Sequence, residues 1–446
     1  MLNDPESPTK RWQMLADILL HCRWTSADHL ALGMGAIKRQ PNAVRNMIAA
    51  IHQAFPWVPS RTQLVTFLAS RSDLLKGLRW KRLPDIQCQR RLYPTTMQPT
   101  RFAQQTWEPP PLPTLGSVAD DLLRLPASLV EWLSNPRVQH YVVSVIAKRG
   151  SAGSAGTGAA TGRILEQPKR LLKAAQRDIL REILRDVPAH PAAHGFVPHR
   201  SVVTFAKPHT GRPVVVRMDL ANFFTSIPAA RVNAVFRSLG YPLPVAHQLT
   251  NLCTTACKLD AVEGLADYSA AERVRLENLY GRPHLPQGAP TSPALANLVA
   301  YRLDARLSGL ARRVGCEYTR YADDLLFSGD RRLLRQAQSL VVQVSAIALD
   351  EGFQVQHRKT RIMTQAVLQA AAGVVLNQHT NIDRRDYDNL KATLTNCVRH
   401  GPATQNHLQH PNYREHLLGR IGWVHHLNPT RGSKLMRIFE RIQWPN

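Results

Sequence analysis

The segment at residues 317–328, EYTRYADDLLFS, narrows the folds open to this chain more than any other. Two apolar, β-type runs stand on either side of Ala322-Asp323-Asp324. Successive residues of a strand point to opposite faces, so two carboxylates that work together here require a tight hairpin turn. Adjacent aspartates repel, and seating them between apolar strands costs free energy unless a cation neutralises them. Asp is also an ordinary residue of solvated hairpin turns, but Tyr-Ala-Asp-Asp between two such runs reads as a functional hairpin.

Two further segments supply its counterparts. Residues 213–227, PVVVRMDLANFFTSI, contain a short β-rich run (Val214, Val215, Val216, Met218) that ends at Asp219. A carboxylate at the end of a buried strand lies at an edge that a ligand can reach; taken alone, Asp219 would read as a strand terminator capping the next helix. Residues 285–310, LPQGAPTSPALANLVAYRLDARLSGL, read as a Pro/Gly loop and then a helix. Ser292 is the expected N-cap, Pro293 the first helical position, and Leu295, Val299, Leu303 and Leu307 one stripe. Gln287 and Gly288 in the loop allow a backbone to approach a substrate closely. One reaction uses the three segments together. Asp219 and Asp323 can hold two divalent cations, one to activate an attacking 3′-hydroxyl and the other to stabilise a leaving pyrophosphate. An all-oxygen site without His or Cys suits Mg²⁺, with Asp324 as a lesser ligand or an outer carboxylate.

Charge points the same way. Lys and Arg number 57 against 32 Asp and Glu, a formal net charge of +25, which implies a polyanionic partner, most commonly nucleic acid. With 44% hydrophobic residues the chain can bury a core, which excludes a disordered basic tail. Its 446 residues suggest two to four domains at about 150 residues each. No stretch approaches the roughly 18 apolar residues of a membrane span, and residues 1–12 lack the apolar core of a signal peptide. Six scattered cysteines imply a reduced, cytoplasmic protein. Cys253 and Cys257 are spaced as on one helix face, with no second pair at zinc-ligand spacing.

Residues 107–116, WEPPPLPTLG, read as a Pro-rich linker. Before it, residues 42–55 read as an amphipathic helix, and the basic, aromatic stretch at 76–101 as core or as a nucleic-acid surface. After it, Ser117 is expected to cap a helix with Asp120 and Asp121 in its first turn. The Gly/Ala/Ser-rich residues 148–163 read as a loop between strands, followed by helical spacing over 167–184.

Taken together these segments resemble a reverse transcriptase of the bacterial retron type. MDLANFF, with Asp219, is similar to the family's motif A, PQGAPTSPALANL to motif B, YADD to motif C and GFQVQHRKT, ending at Thr360, to motif D. HGFVPHRSV (194–202), GRILEQPKRLLKAAQ and LLGRIGWVHHLNP (417–429) resemble its other conserved elements. Two elements depart from the retron pattern. Phe205-Ala206-Lys207-Pro208-His209 has Phe for the usual Asn, and Ala371-Ala372-Gly373 replaces Val-Thr-Gly.

The resemblance implies an α/β right-hand polymerase. Fingers and palm would occupy 115–375 and an RNA-binding helical thumb 376–446; residues 1–114 lie outside the resemblance and read as an N-terminal helical extension. It implies two Mg²⁺ ions, with Mn²⁺ able to substitute, at Asp219, Leu220, Asp323 and Asp324. Lys359 is the implied proton donor. Lys148, Arg163, Phe224, Gln287 and Gly288 would meet the incoming dNTP, Phe224 as the steric gate against a ribose 2′-hydroxyl. In the thumb, Arg399, Arg414 and Arg420 would bind RNA. The implied function is RNA-directed DNA synthesis on a structured noncoding RNA template-primer, giving a branched RNA–DNA product in an anti-phage system with an effector protein encoded nearby. The alternatives are a non-retron defence reverse transcriptase and an RNA-binding scaffold that controls an effector.

Overall fold

The computed structural model describes residues 12–13, 15–16, 19–20, 41–55, 59, 61–75, 109–112, 114–147, 162–257, 259 and 269–444. The basic stretch at 76–101 and the loop at 148–161, with Lys148, lie outside the described residues. Contacts divide the chain into two compact units, Met1–Pro188 with Phe224–Val299, and Ala189–Phe223 with Ala300–Asn446. No helix among the described residues is long and apolar enough to cross a membrane.

In the first unit, strands β1 (Tyr141–Ala147) and β2 (Gly162–Pro168) form an antiparallel hairpin in register Tyr141↔Pro168 to Ala147↔Gly162. The strands therefore flank the Gly-rich segment as expected. Leu172, Ala175, Gln176 and Ile179 are buried on helix Arg170–Ile179 while Lys173 and Arg177 face water, the spacing of an amphipathic helix. This helix begins three residues later than its periodicity suggests, because Gln167 and Pro168 belong to β2. Thr114, not Ser117, is the N-cap: its side chain accepts from Ser117 N, and the Ser117 hydroxyl accepts from Thr114 N in return. The Pro-rich segment is packed rather than a free linker, with Leu112 buried and Pro110 O accepting from the Tyr241 hydroxyl at 3.3 Å. Residues 41–54 are helical as expected. Helix Leu243–Cys253 ends at Cys253, so Cys257 does not share its face.

The second unit is built on a four-stranded antiparallel sheet, β3 (Val214–Asp219), β4 (Glu317–Tyr321), β5 (Asp324–Gly329) and β6 (Arg361–Thr364), in the order β4-β5-β3-β6. Val214, Val215, Val216 and Met218 are all buried, which explains the unbroken apolar run. Phe205, the departure from Asn, is wholly buried in a core with Val215, Leu326 and Leu427. Ala371 lies in a small hairpin of β7 (Ala370–Ala371) and β8 (Val374–Val375). Helices Arg384–His400, Tyr413–Leu427 and Pro429–Phe439 bury Leu390, Leu394, Leu417, Ile421, Leu435 and Phe439 around a core of their own. The helix expected after the Pro/Gly loop is interrupted by a turn at Ala300, giving Ser292–Val299 and Tyr301–Val314. All four stripe leucines and valines are nonetheless buried.

Candidate active site

The sheet brings three carboxylates together at one end. β4 and β5 join through a two-residue turn, Ala322–Asp323, because Tyr321 pairs with Asp324. Asp324 in turn stands opposite Asp219, the last residue of β3. A main-chain bond from Leu220 N to Asp323 O at 2.9 Å ties the turn to the end of β3. The hairpin expected from the sequence is therefore formed, and it sets Asp323 beside the strand that carries Asp219.

Each outer carboxylate has a cation. Lys359 Nζ donates to both oxygens of Asp219, at 2.8 and 2.9 Å. It is held there by a short chain of bonds: Gln356 N donates to Asp219 O at 2.7 Å, and Lys359 N donates to Gln356 O within the turn His357–Lys359. Arg217 donates from Nε and Nη2 to Asp324 Oδ1 at 2.9 and 2.8 Å. Sequence reasoning passed over Arg217, although its place two residues before Asp219 puts it on the same face of β3. Asp323 forms no ion pair with the described residues. Burial, then the charges of Asp219 and Asp324, push its carboxyl up to about 6. The Asp324 carboxyl is also raised, by burial, against the opposing pull of Arg217. A crowded carboxylate with an elevated pKa is the mark of a site that lacks positive charge.

No group of three or more His, Cys, Asp or Glu side chains among the described residues is set to hold a metal ion as it stands. The donor set nevertheless suits a hard divalent cation, being oxygen throughout and short of positive charge at Asp323. Leu220 is buried and its side chain has no donor, so only its main-chain carbonyl could serve.

The dNTP candidates that are described all belong to the first unit. Arg163 is on β2, opposite Ile146. Gln287 is half-buried and Gly288 exposed. Their loop is pinned to β2 by a bond from Glu166 N to Gln287 O at 2.8 Å. Gly288 has φ 126°, and a Cβ there would lie 2.9 Å from Glu166 O. The glycine thus serves a close approach to the protein's own backbone. Beneath the loop, the buried Glu166 and His284 pair at 2.9 Å, a contact between residues 118 apart that no local pattern announces. The Ser292 hydroxyl donates to Pro286 O at 2.6 Å, fastening the loop to the start of its helix. Phe224 is half-buried. Phe223, in the second unit, is core, as expected, and stacks on Phe353 of that same unit. Arg399, Arg414 and Arg420 are exposed on helices Arg384–His400 and Tyr413–Leu427.

Comparisons with known proteins give the family. Residues 146–396 match the family model described as reverse transcriptase (RNA-dependent DNA polymerase). The retron Mx65 reverse transcriptase of Myxococcus xanthus is 40% identical over 309 residues, covering 68% of this chain and 64% of that protein. The retron Mx162 enzyme of the same organism is 34% identical over 333 residues, covering 70% and 64%. The retron Ec86 enzyme of Escherichia coli is 35% identical over 239 residues, covering 52% and 64%. The chain thus spans 64% of the length of each of these three relatives. With the family model spanning more than half of its residues, the chain belongs to the reverse transcriptase family, and the relatives it is similar to are retron enzymes.

Proposed function

We propose that this chain is an RNA-directed DNA polymerase that copies a structured noncoding RNA into a branched RNA–DNA hybrid, as part of a retron defence system with an effector partner. The observation that carries the polymerase reading is the hairpin that sets Asp323 beside Asp219 on a sheet with two charged neighbours already compensated. Asp219, Asp323 and the Leu220 carbonyl would hold divalent ions, Mg²⁺ or Mn²⁺. Such ions, when bound, lower the pKa of an attacking hydroxyl and stabilise the charge of a leaving pyrophosphate. Asp324, fixed by Arg217, lends negative charge from just outside. Lys359, its side chain about half exposed at 54%, would exchange its bonds to Asp219 for the departing pyrophosphate and serve as its proton donor. Lys148 and Arg163 bind the triphosphate, Gln287 and Gly288 line its path, and Phe224 excludes a ribose 2′-hydroxyl. Arg399, Arg414 and Arg420 bind the RNA from a thumb at 376–446, beyond fingers and palm at 115–375. The extension at 1–114 is given no role in this reading, and the protein acts in the cytoplasm.

Sequencing the nucleic acid that copurifies with the protein tests this. The expected result is DNA complementary to an RNA encoded beside the gene, joined to it until a 2′,5′-debranching enzyme is added. Unjoined DNA of mixed sequence would favour a general reverse transcriptase. RNA with no DNA, from protein that adds no nucleotides in Mg²⁺ or Mn²⁺, would favour the scaffold.

A further inference from the structure

The turn that presents Asp323 has a backbone its sequence does not favour. Ala322 has φ 54°. In a two-residue hairpin turn such a position ordinarily takes glycine, because a Cβ crowds the neighbouring carbonyl. A conformation of this kind persists only where its surroundings hold it. Two neighbours in the same unit do so. Arg320, two residues back along β4, is wholly buried, and its Nη1 donates to Ala322 O at 3.1 Å. On the preceding peptide, Gly195 packs so closely that a Cβ there would lie 2.6 Å from Ala322 N. The carbonyl that Arg320 grips belongs to the peptide bond leading into Asp323.

Arg320 is itself immobilised. Its Nε and Nη2 donate to the two oxygens of Asp304 at 2.8 and 2.7 Å. The Tyr318 hydroxyl donates to Asp304 Oδ1 at 2.8 Å, and the Phe223 ring centroid lies 5.5 Å from Arg320 Cζ. The main chain is held as well: Arg320 N donates to Ala192 O, and Arg320 O accepts from His194 N, both at 2.7 Å. Arg320 and Asp304 are both 0% exposed. Desolvating such a pair is expensive, and apolar residues of similar volume serve stability as well or better. What apolar residues cannot supply is a planar fork with two arms on a carboxylate and a third on a chosen carbonyl.

We infer that Arg320 is a positioning residue, which fixes the peptide before Asp323 and so aims the Asp323 carboxylate, with Ala192–Gly195 as its backing. The inference rests on the polymerase reading of the aspartates given above. The variant Arg320→Lys in the full chain keeps the buried charge and loses the fork. Mn²⁺ binding, read by electron paramagnetic resonance with Asp323→Asn as the baseline, is expected to weaken about fivefold or more. Nucleotide addition on a primed RNA should lose roughly 10- to 100-fold in kcat, as expected of a slightly misplaced reacting group, with the KM for dNTP within about twofold of the parent. Adding Ala322→Gly to Arg320→Lys should restore part of both losses, since glycine holds the turn conformation unaided. A merely structural arginine would give no such rescue. Should Arg320→Lys fail to fold, Tyr318→Phe removes one bond to Asp304 and is expected to shift both readouts in the same direction by a smaller factor. Wild-type Mn²⁺ affinity and kcat in a folded variant would overturn the inference, as would losses that Ala322→Gly leaves untouched. If the parent binds Mn²⁺ through Asp323 and adds no nucleotides, the polymerase reading fails, and the Mn²⁺ affinities alone still decide for or against Arg320.

Discussion

Asp323 is the carboxylate whose neighbours, Asp219 and Asp324, each have a cation while it has none among the described residues. At neutral pH its charge is held against burial and like-charge repulsion, which is why its carboxyl is pushed up to about 6. Asp323→Asn removes that burden together with the ligand. Nucleotide addition is expected to fall by more than about 100-fold, about 3 kcal/mol of barrier, in a primer-extension assay. The melting temperature should hold or rise, and RNA binding should persist, because the basic surface supplies it. A second residue sets a pH dependence that has nothing to do with catalysis. His209 is wholly buried, with Nδ1 2.7 Å from Ser328 Oγ and Nε2 2.8 Å from Thr319 Oγ1. Burial, then the charges of Arg212 and His194, push it down to about 3. The unfolded chain binds that proton near pH 6.5 and the folded chain does not, so stability is full above about pH 6.5 and falls as the pH drops toward 3. The slope is about 1.4 kcal/mol per pH unit from this residue. Urea unfolding at pH 7 and pH 5.5 should show the loss, and His209→Gln, which has no proton to take up, should flatten it.

At the scale of elements, two helices meet very closely. Gly432, on Pro429–Phe439, lies so close to Tyr413–Leu427 that a Cβ would collide with the main chain of His425. Backbone has no rotamer with which to yield, so Gly432→Ala forces the helices apart. A loss of about 1–3 kcal/mol or more is expected from such overpacking, read as a lower urea midpoint with an unchanged slope. Elements were legible in the sequence wherever their cause is local. The run at Val214–Met218, the tight turn at Ala322–Asp323 and the amphipathic spacing from Arg170 all declare themselves within a dozen residues. Boundaries were less legible, because Thr114 and Ser117 are both good caps and only the packed chain selects between them. The break at Ala300 falls inside a continuous apolar stripe that periodicity alone reads as one helix. The site's cations were hidden for another reason. Arg217 meets Asp324 across 107 residues and Lys359 meets Asp219 across 140, so strand order rather than sequence spacing makes those pairs.

At the scale of the whole molecule, charge is the governing quantity. With a net +25, an RNA ligand should displace several counterions, so log affinity should fall linearly with log salt. For six to ten phosphate contacts the drop is about 10³- to 10⁵-fold between 50 and 200 mM salt, measurable by fluorescence anisotropy. Asp323→Asn should share the parent's slope; a flat response would remove the basic surface as the source of affinity. The strand order β4-β5-β3-β6 carries a consequence in time rather than in space. Val214 pairs with Gly329 on one side and Thr364 on the other. A ribosome makes β3 first, at about 5–20 residues per second, and for several seconds the strand that carries Asp219 has neither neighbour. Throughout that interval Val214–Val216 is an apolar strand with both edges open, the form most prone to pair with another chain. Yield of native protein should therefore depend on how crowded the nascent chains are, and fewer chains in synthesis at once should favour the fold over the aggregate.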